Sequence, residues 1–229
     1  MNHLLDRPDP YIALDVNITY KCNLGCNNCD RLCYMNFDLP DIPIEQVMRL
    51  DRELPQHITK LQIVGGEPTL NPDLERIIRI LKKPHRTLIV FTNGSMPFFS
   101  DDAHVYVSKK AIKTQSEFEA QQNAPVDEYG DVFDWAAPGC WIADYCGPGV
   151  DYEGYFPCGC SAMISKIFKL DIAVPYLGLL TETKIRQQRA QVCKYCGYYR
   201  RYVLKKPGRY PQQVTSRSWV EALANFTRK

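Results

Sequence analysis

Apolar and polar side chains recur with two different periods along the first 135 residues of the chain. Short alternating or continuously apolar runs predict β-strands at residues 11–19, 61–64, 87–91 and 104–108. A helical period of apolar positions predicts helices within residues 42–54 and 74–81, the second with Asn71 as N-cap and Pro72 as first helical residue. Strands that alternate with helices are typical of βα units, so we expect an α/β fold with a parallel sheet.

The pattern changes after residue 137. Residues 131–135 are a candidate fifth strand, and residues 150–158 (VDYEGYFPC) predict a hairpin. Six of the ten cysteines follow this point. We therefore expect a short, incomplete parallel unit over residues 1–137 and a small cysteine-rich domain over residues 138–229.

Composition limits the class of protein. The chain has 229 residues, of which 45% are hydrophobic and 24% charged, which excludes a disordered chain. No apolar run reaches the ~18–20 residues that span a bilayer, and the first 15 residues contain acids and a proline where a secretory signal needs an unbroken apolar stretch. We expect a soluble cytoplasmic protein without a membrane partner, whose reduced cysteines serve metal binding or catalysis.

Charge is distributed unevenly along the chain. From Lys184 onward there are 12 Lys or Arg residues and one acid, although the net charge of the whole chain is only +2. Such a basic segment suits a phosphate-bearing ligand or an acidic partner, and it is equally compatible with a solvated tail.

Three cysteines follow the first predicted strand in the spacing C-x3-C-x2-C, at Cys22, Cys26 and Cys29. Three thiolates on one short loop can each bind one iron of a [4Fe–4S] cube, which leaves the fourth iron for a small molecule. The alternative from spacing alone is a zinc site, for which Cys33 would be the fourth ligand.

Two further motifs lie where neighbouring strands end. Gly65-Gly66-Glu67-Pro68 follows the second strand, and Thr92-Asn93-Gly94 follows the third. Alone, each is typical of a turn. Because the carboxyl ends of parallel strands carry the chemistry of α/β proteins, the three motifs together predict one site.

This combination resembles the radical S-adenosylmethionine (SAM) superfamily. The resemblance covers most of residues 11–108 and implies a partial (β/α) barrel in which Cys22, Cys26 and Cys29 hold a [4Fe–4S] cluster whose open iron binds SAM. It also implies a SAM-binding set, with Glu67 on the SAM amino group and Ser108 on the ribose or carboxylate: Gly65, Gly66, Glu67, Pro68, Asn93 and Ser108. Two features depart from the family. Asn28 stands where the family usually has an aromatic residue against adenine, and the glycine-rich segment at strand five is missing.

The second half resembles the Twitch and SPASM auxiliary-cluster domains at residues 154–158 (GYFPC). The shorter Twitch type matches better, and it implies a second [4Fe–4S] cluster on Cys140, Cys158, Cys193 and Cys196. Cys140 fits the first ligand position better than Cys146. Taken alone, the pair Cys193-x2-Cys196 is equally compatible with zinc.

The resemblance implies an enzyme. An electron from a reductase or flavodoxin-type donor would let the cluster cleave SAM to a 5′-deoxyadenosyl radical, which abstracts a hydrogen from a C–H bond. A carbohydrate-type small molecule is the favoured substrate, and a phosphorylated or nucleotide-linked one would suit the basic segment. Cys146 is the preferred hydrogen donor for epimerisation among the unassigned Cys33, Cys146 and Cys160, whereas the second cluster could accept an electron in a dehydrogenation. Peptide modification and a non-enzymatic zinc protein that binds nucleic acid are the alternatives.

Overall fold

A six-stranded sheet organises the protein. The computed structural model describes residues 13–108, 120–131, 140–202 and 212–227. Its strands are β1 (Ala13–Asn17), β2 (Lys60–Val64), β3 (Thr87–Thr92), β4 (His104–Val107), β5 (Gly149–Asp151) and β6 (Gly154–Phe156), in the order β4-β3-β2-β1-β5-β6. All neighbours pair in parallel except β5 and β6, which form an antiparallel hairpin. The mixed, mainly parallel α/β sheet agrees with the fold class predicted from the sequence.

Eight α-helices accompany the sheet in the described ranges. They are α1 (Ile44–Glu53), α2 (Leu74–Leu81), α3 (Val126–Tyr129), α4 (Trp141–Cys146), α5 (Ser161–Phe168), α6 (Glu182–Val192), α7 (Gly197–Tyr202) and α8 (Arg217–Thr227). No helix in these ranges is both long and apolar enough to cross a membrane.

The strand period of two decides what each face of the sheet does. Leu14 and Val16 of β1, together with Leu61 and Ile63 of β2, belong to the core that α1 and α2 cover. The residues between them point the other way, and these include polar ones such as Asp15. One face of the parallel strands is therefore hydrophobic core and the other lines a cavity.

The predicted strands at 61–64, 87–91 and 104–108 and both predicted helices are confirmed with small changes at their ends. Residues 11–12 of the first strand and 132–135 of the candidate fifth strand lie outside the described residues. The predicted N-cap at Asn71 is two residues early, because α2 begins at Leu74 with Asp73 as its cap. Asn71 Oδ1 instead accepts a hydrogen bond from the Asp73 backbone N–H at 2.8 Å.

The predicted hairpin is present, and it belongs to the same sheet as the first half of the chain. Asp15 pairs with Gly149 and Val16 with Val150 in parallel register. The predicted domain boundary near residue 138 lies outside the described residues. The sheet continues across it, so the two halves share a structural element.

Candidate active site

A cavity of about 350 Å³ opens beside the carboxyl ends of the parallel strands. Four cysteines of the first half line it: Cys22, Cys26, Cys29 and Cys33. From the second half, Cys146 lines it as well. The structure therefore brings the predicted cluster ligands and the predicted hydrogen donor to one space.

The loop that carries Cys22, Cys26 and Cys29, called the cluster loop below, fits an iron–sulfur cluster. Cys22, Cys26 and Cys29 present soft sulfur donors to a roomy cavity, and each thiolate of a [4Fe–4S] cube binds a different iron. The Leu24 backbone N–H donates to Cys22 Sγ at 3.4 Å. A hydrogen bond with Cys33 lowers the pKa of Cys29. Within the described ranges, no three His, Cys, Asp or Glu side chains are close enough to share one metal ion.

Gly65 and Gly66 line the cavity because the end of β2 packs tightly against the chain leaving β1. A Cβ at Gly65 would lie 2.6 Å from Thr19 O, and one at Gly66 would overlap the Lys21 carbonyl. The Gly66 N–H donates to Thr19 O at 2.8 Å and the Glu67 N–H to Lys21 O at 2.8 Å. The two glycines thus fix the backbone that carries Cys22.

The structure places the side chain of Glu67 outside the cavity, against the loops after β2 and β3. Its side chain is fully buried and does not line the cavity. Its Oε1 accepts hydrogen bonds from Thr69 Oγ1 at 2.7 Å and Thr92 Oγ1 at 2.6 Å, and its Oε2 accepts from the Asn93 N–H at 2.6 Å. Both oxygens hold the loops after β2 and β3 together, so Glu67 has a structural role in addition to the SAM contact predicted from the sequence. Pro68 is also buried away from the cavity.

Asn93 and Ser108 do line the cavity, as predicted for cofactor-binding residues. Asn93 Nδ2 lies 3.9 Å from Cys22 Sγ and donates to Asn23 Oδ1 at 2.9 Å. Ser108 Oγ donates to Thr92 O at 2.9 Å. Both side chains stand at strand ends beside the cluster loop, where they can present polar atoms to a ligand.

A polar floor beneath these residues was missed by the sequence analysis. Asp15 and Gln62 are register partners on β1 and β2, both are buried, and both line the cavity. Asp15 Oδ1 and Gln62 Nε2 find no hydrogen-bond partner in the described part of the chain. Arg31 forms an ion pair with Asp30 and lies 3.7 Å from Asp15 Oδ2. Burial raises the pKa of Asp15 to about 7 despite the Arg31 charge. The signal in the sequence was an acidic residue at a polar position of the alternating first strand.

Cys146 ends α4 and faces this floor. Burial, and next the negative charge of Asp15, raise the pKa of the Cys146 thiol to about 12. At neutral pH the group is therefore a protonated thiol with an S–H bond to give. Cys160 does not line the cavity, and its Sγ lies 3.1 Å from Asp30 Oδ2.

A second set of cysteines lines a separate cavity beside α4, α5 and α6. Cys140, Cys158, Cys193 and Cys196 all line one small cavity of about 20 Å³, beside Arg189. Cys140 belongs to this set and Cys146 does not, which agrees with the preference taken from the sequence. Burial is the largest cause that raises the pKa of each of the four thiols.

Asn28 serves a contact that the sequence did not reveal. It is buried in a left-handed backbone conformation (φ 56°) and does not line the cavity. Its Nδ2 donates to Gln212 O at 2.8 Å, and its Oδ1 accepts from the Val214 N–H at 2.9 Å. The position that usually carries an aromatic residue here binds the segment before α8.

Comparison with known proteins agrees with the cysteine loop. Residues 16–115 match the family model of the radical SAM superfamily. A "Probable GTP 3′,8-cyclase" of Pyrococcus horikoshii is 36% identical over 96 residues, which cover 40% of this chain and 30% of the relative. An "S-adenosylmethionine-dependent nucleotide dehydratase" of a Thermoplasmatales archaeon is 29% identical over 85 residues, which cover 37% of this chain and 30% of the relative.

The chain therefore spans less than a third of the length of these two curated relatives. Among solved structures, "BtrN in complex with AdoMet and 2-DOIA" is similar over 81% of this chain and 92% of that chain, with a TM-score of 0.46 and 12% identity.

Proposed function

We propose that this protein is a radical SAM enzyme that abstracts a hydrogen from a C–H bond of a carbohydrate-type substrate. The observation that carries the proposal is the single cavity shared by the three thiols of the cluster loop and Cys146. When bound there, a reduced [4Fe–4S] cluster supplies the electron that cleaves SAM to methionine and a 5′-deoxyadenosyl radical.

Cys22, Cys26 and Cys29 hold the cluster in this proposal. Gly65 and Gly66 keep the strand ends close enough for the thiols to face the cavity, and Asn93 and Ser108 offer polar atoms to SAM. Glu67 positions Asn93 by accepting a hydrogen bond from its backbone N–H. The chain's own contribution is thus to orient SAM and to keep water from a reactive radical.

The floor of the cavity binds the reacting part of the substrate. Asp15 offers an acceptor and Gln62 a donor, and a hydroxyl group can satisfy both because it donates and accepts at once. Arg31 is already paired with Asp30 and lies beside Asp15, so a phosphate fits the floor poorly. A nucleotide-linked substrate would place its phosphates away from the floor. The names of two relatives, which refer to GTP and to nucleotides, support including this substrate type.

The outcome of the reaction depends on what meets the substrate radical. Cys146 can donate a hydrogen atom from its thiol, which gives epimerisation when donation comes from the face opposite abstraction. The thiyl radical left on Cys146 returns to the thiol by taking one electron from the external reductase or flavodoxin-type donor and one proton from water. The alternative outcome is dehydrogenation, in which the substrate radical loses a proton and passes an electron to a second cluster. The thiol at the cavity wall favours epimerisation.

Cys140, Cys158, Cys193 and Cys196 hold that second [4Fe–4S] cluster in our proposal. Their common cavity supports a closed four-thiolate site. Zinc is the alternative occupant, because four cysteines are also a complete structural zinc set, but the four thiols would have to move closer together to share one ion. SAM cleavage at the first cluster requires an external donor of low-potential electrons, for which a reductase or flavodoxin-type protein is suitable.

Metal analysis and SAM cleavage test the proposal together. Anaerobically prepared protein should contain about eight irons, counted as four per cube, and should form 5′-deoxyadenosine with dithionite and SAM. Replacing Cys22, Cys26 and Cys29 with Ala should remove roughly half of the iron and all SAM cleavage. Undiminished 5′-deoxyadenosine in that variant would refute the first cluster site, and zinc in place of the remaining iron would refute the second.

A further inference from the structure

The cluster loop brings four thiols to the cavity, one more than the three that the proposed function uses. Cys33 is 5% exposed and lines the same cavity as Cys22, Cys26 and Cys29. Its side chain hydrogen-bonds with those of both Cys22 and Cys29. Cys33 is therefore placed among the cluster ligands rather than behind them.

The backbone holds Cys33 in this position by an unusual turn. Residues 33–35 form a 3-10 turn, and the residues on either side, Leu32 and Asn36, both have left-handed φ angles of 52° and 50°. The Leu32 N–H donates to Cys29 O at 3.0 Å, and the Asn36 N–H donates to Cys33 O at 3.1 Å. A buried leucine adopts such a conformation only when its surroundings enforce it, and strain of this kind is concentrated at ligand-holding segments.

We propose that Cys33 binds the fourth iron of the first cluster while SAM is absent and releases it when SAM binds. This inference rests on the proposed function, because it requires a cube on Cys22, Cys26 and Cys29. In the exchange, the iron–sulfur bond to Cys33 breaks, and bonds form from that iron to the amino nitrogen and a carboxylate oxygen of SAM. The proton that the SAM ammonium loses passes to the Cys33 thiolate, so no electron is transferred.

The consequence is a resting cluster with four protein ligands. An iron with no protein ligand is open to solvent and oxidant, and its loss converts the cube to a [3Fe–4S] cluster. Cys33 protects that iron, and SAM has to displace it. The apparent affinity for SAM then falls in proportion to the fraction of protein in which Cys33 has left the iron.

Cys160 provides a matched control. It has the same exposure of 5%, but its thiol contacts Asp30 and does not line the cavity. Wild type, Cys33→Ala and Cys160→Ala would be reconstituted to equal iron content, oxidised with ferricyanide without SAM, and examined for the [3Fe–4S] electron paramagnetic resonance signal. We expect several-fold more signal from Cys33→Ala than from the other two proteins, and tighter SAM binding by Cys33→Ala.

An equal [3Fe–4S] yield from all three proteins would overturn the inference. If Cys33→Ala does not fold, the [3Fe–4S] yield of Cys33→Ser can be compared in its place. Mössbauer spectra of the wild type test the same ligation without any substitution. Without SAM, the inference predicts sulfur-only ligation for all four irons of the first cluster, as for those of the second. SAM should then make one iron distinct, and a distinct iron already present without SAM contradicts the inference. These outcomes leave the proposed function standing, whereas unchanged iron in the Cys22, Cys26 and Cys29 triple variant would refute the proposed function itself.

Discussion

The backbone N–H of Asn28 donates a hydrogen bond of 2.7 Å to Oε1 of Gln213, across 185 residues of sequence. Asn28 lies between two predicted cluster ligands, Cys26 and Cys29, and its side chain adds two more hydrogen bonds to the same distant segment. The segment before α8 is thus attached directly to the cluster loop. The three hydrogen bonds hold this loop to residues 212–214 in addition to its contacts with the neighbouring strands.

Replacing Asn28 tests this attachment. Asn28→Ala removes both side-chain hydrogen bonds and leaves Gln212 O and the Val214 N–H without these partners, so we expect a loss of about 1–3 kcal/mol in the free energy of unfolding. Asn28→Gly is the control for the left-handed backbone, because glycine adopts it without strain. Urea unfolding measures the loss, and proteolysis should cut near residue 213 sooner in both variants. Stability equal to wild type in both would contradict the attachment.

Glu67 should matter for stability even when no SAM is present. Glu67→Ala leaves Thr92 Oγ1 and the Asn93 N–H without their acceptor, and a single lost hydrogen bond to a charged group costs about 1.5–3 kcal/mol. Thermal unfolding without SAM should therefore show a clear decrease. Glu67→Gln, which keeps one carbonyl acceptor, should lose less. An unchanged unfolding temperature together with weakened SAM binding would instead assign Glu67 to the SAM contact alone.

Asp15 should make stability depend on pH. Its pKa is raised from 3.8 to about 7, mainly by burial, so the folded state favours the protonated carboxyl. The stabilising contribution is complete below pH 4 and is lost as the pH rises through 7. Asp15→Asn cannot ionise, so its stability relative to wild type should increase between pH 4 and 7, by on the order of 2–4 kcal/mol, and then level off. Urea unfolding at a series of pH values checks this, and a constant difference would contradict the raised pKa.

Cys146 should determine the fate of the substrate radical. Cys146→Ala should still cleave SAM and abstract hydrogen, but it should lose the epimerised product or divert it to an oxidised one, because the S–H donor is gone. In deuterium oxide the wild-type product should carry one solvent deuterium at the inverted carbon, since a thiol exchanges its proton with water. Cys160→Ala is the control, because its thiol lies outside the cavity. A ketone or aldehyde without deuterium, with full turnover in Cys146→Ala, would assign the reaction to dehydrogenation.

The sequence predicted those features that depend on local pattern. The strands at 61–64, 87–91 and 104–108 and both helices of the first half follow from periodicity. The spacing of Cys22, Cys26 and Cys29 predicted that these cysteines share one site, and all three line the same cavity. Cys140 lines one cavity with Cys158, Cys193 and Cys196. This set was expected only from the resemblance to Twitch and SPASM domains, because local spacing does not show which distant cysteines meet in the fold.

What the sequence did not predict depends on contacts between distant segments. The GGEP motif predicted that the Glu67 carboxylate contacts the SAM amino group. In the structure this carboxylate accepts hydrogen bonds from Thr92 and Asn93. Asp15 looked like the polar half of an alternating strand, and only the pairing of β1 with β2 and β5 shows that its face lines a cavity. Such pairings are set by tertiary packing, which overrides the local preference of a segment.

The pairing of β1 with β5 has a consequence for how the protein folds during synthesis. β1 occupies residues 13–17, but its second neighbour is formed by residues 149–151. Until the ribosome has released that strand, β1 presents an unsatisfied row of backbone donors and acceptors, and exposed strand edges promote association between chains. The hairpin therefore closes the sheet late, and slow translation between the two segments would lengthen the period in which nascent chains are prone to aggregate.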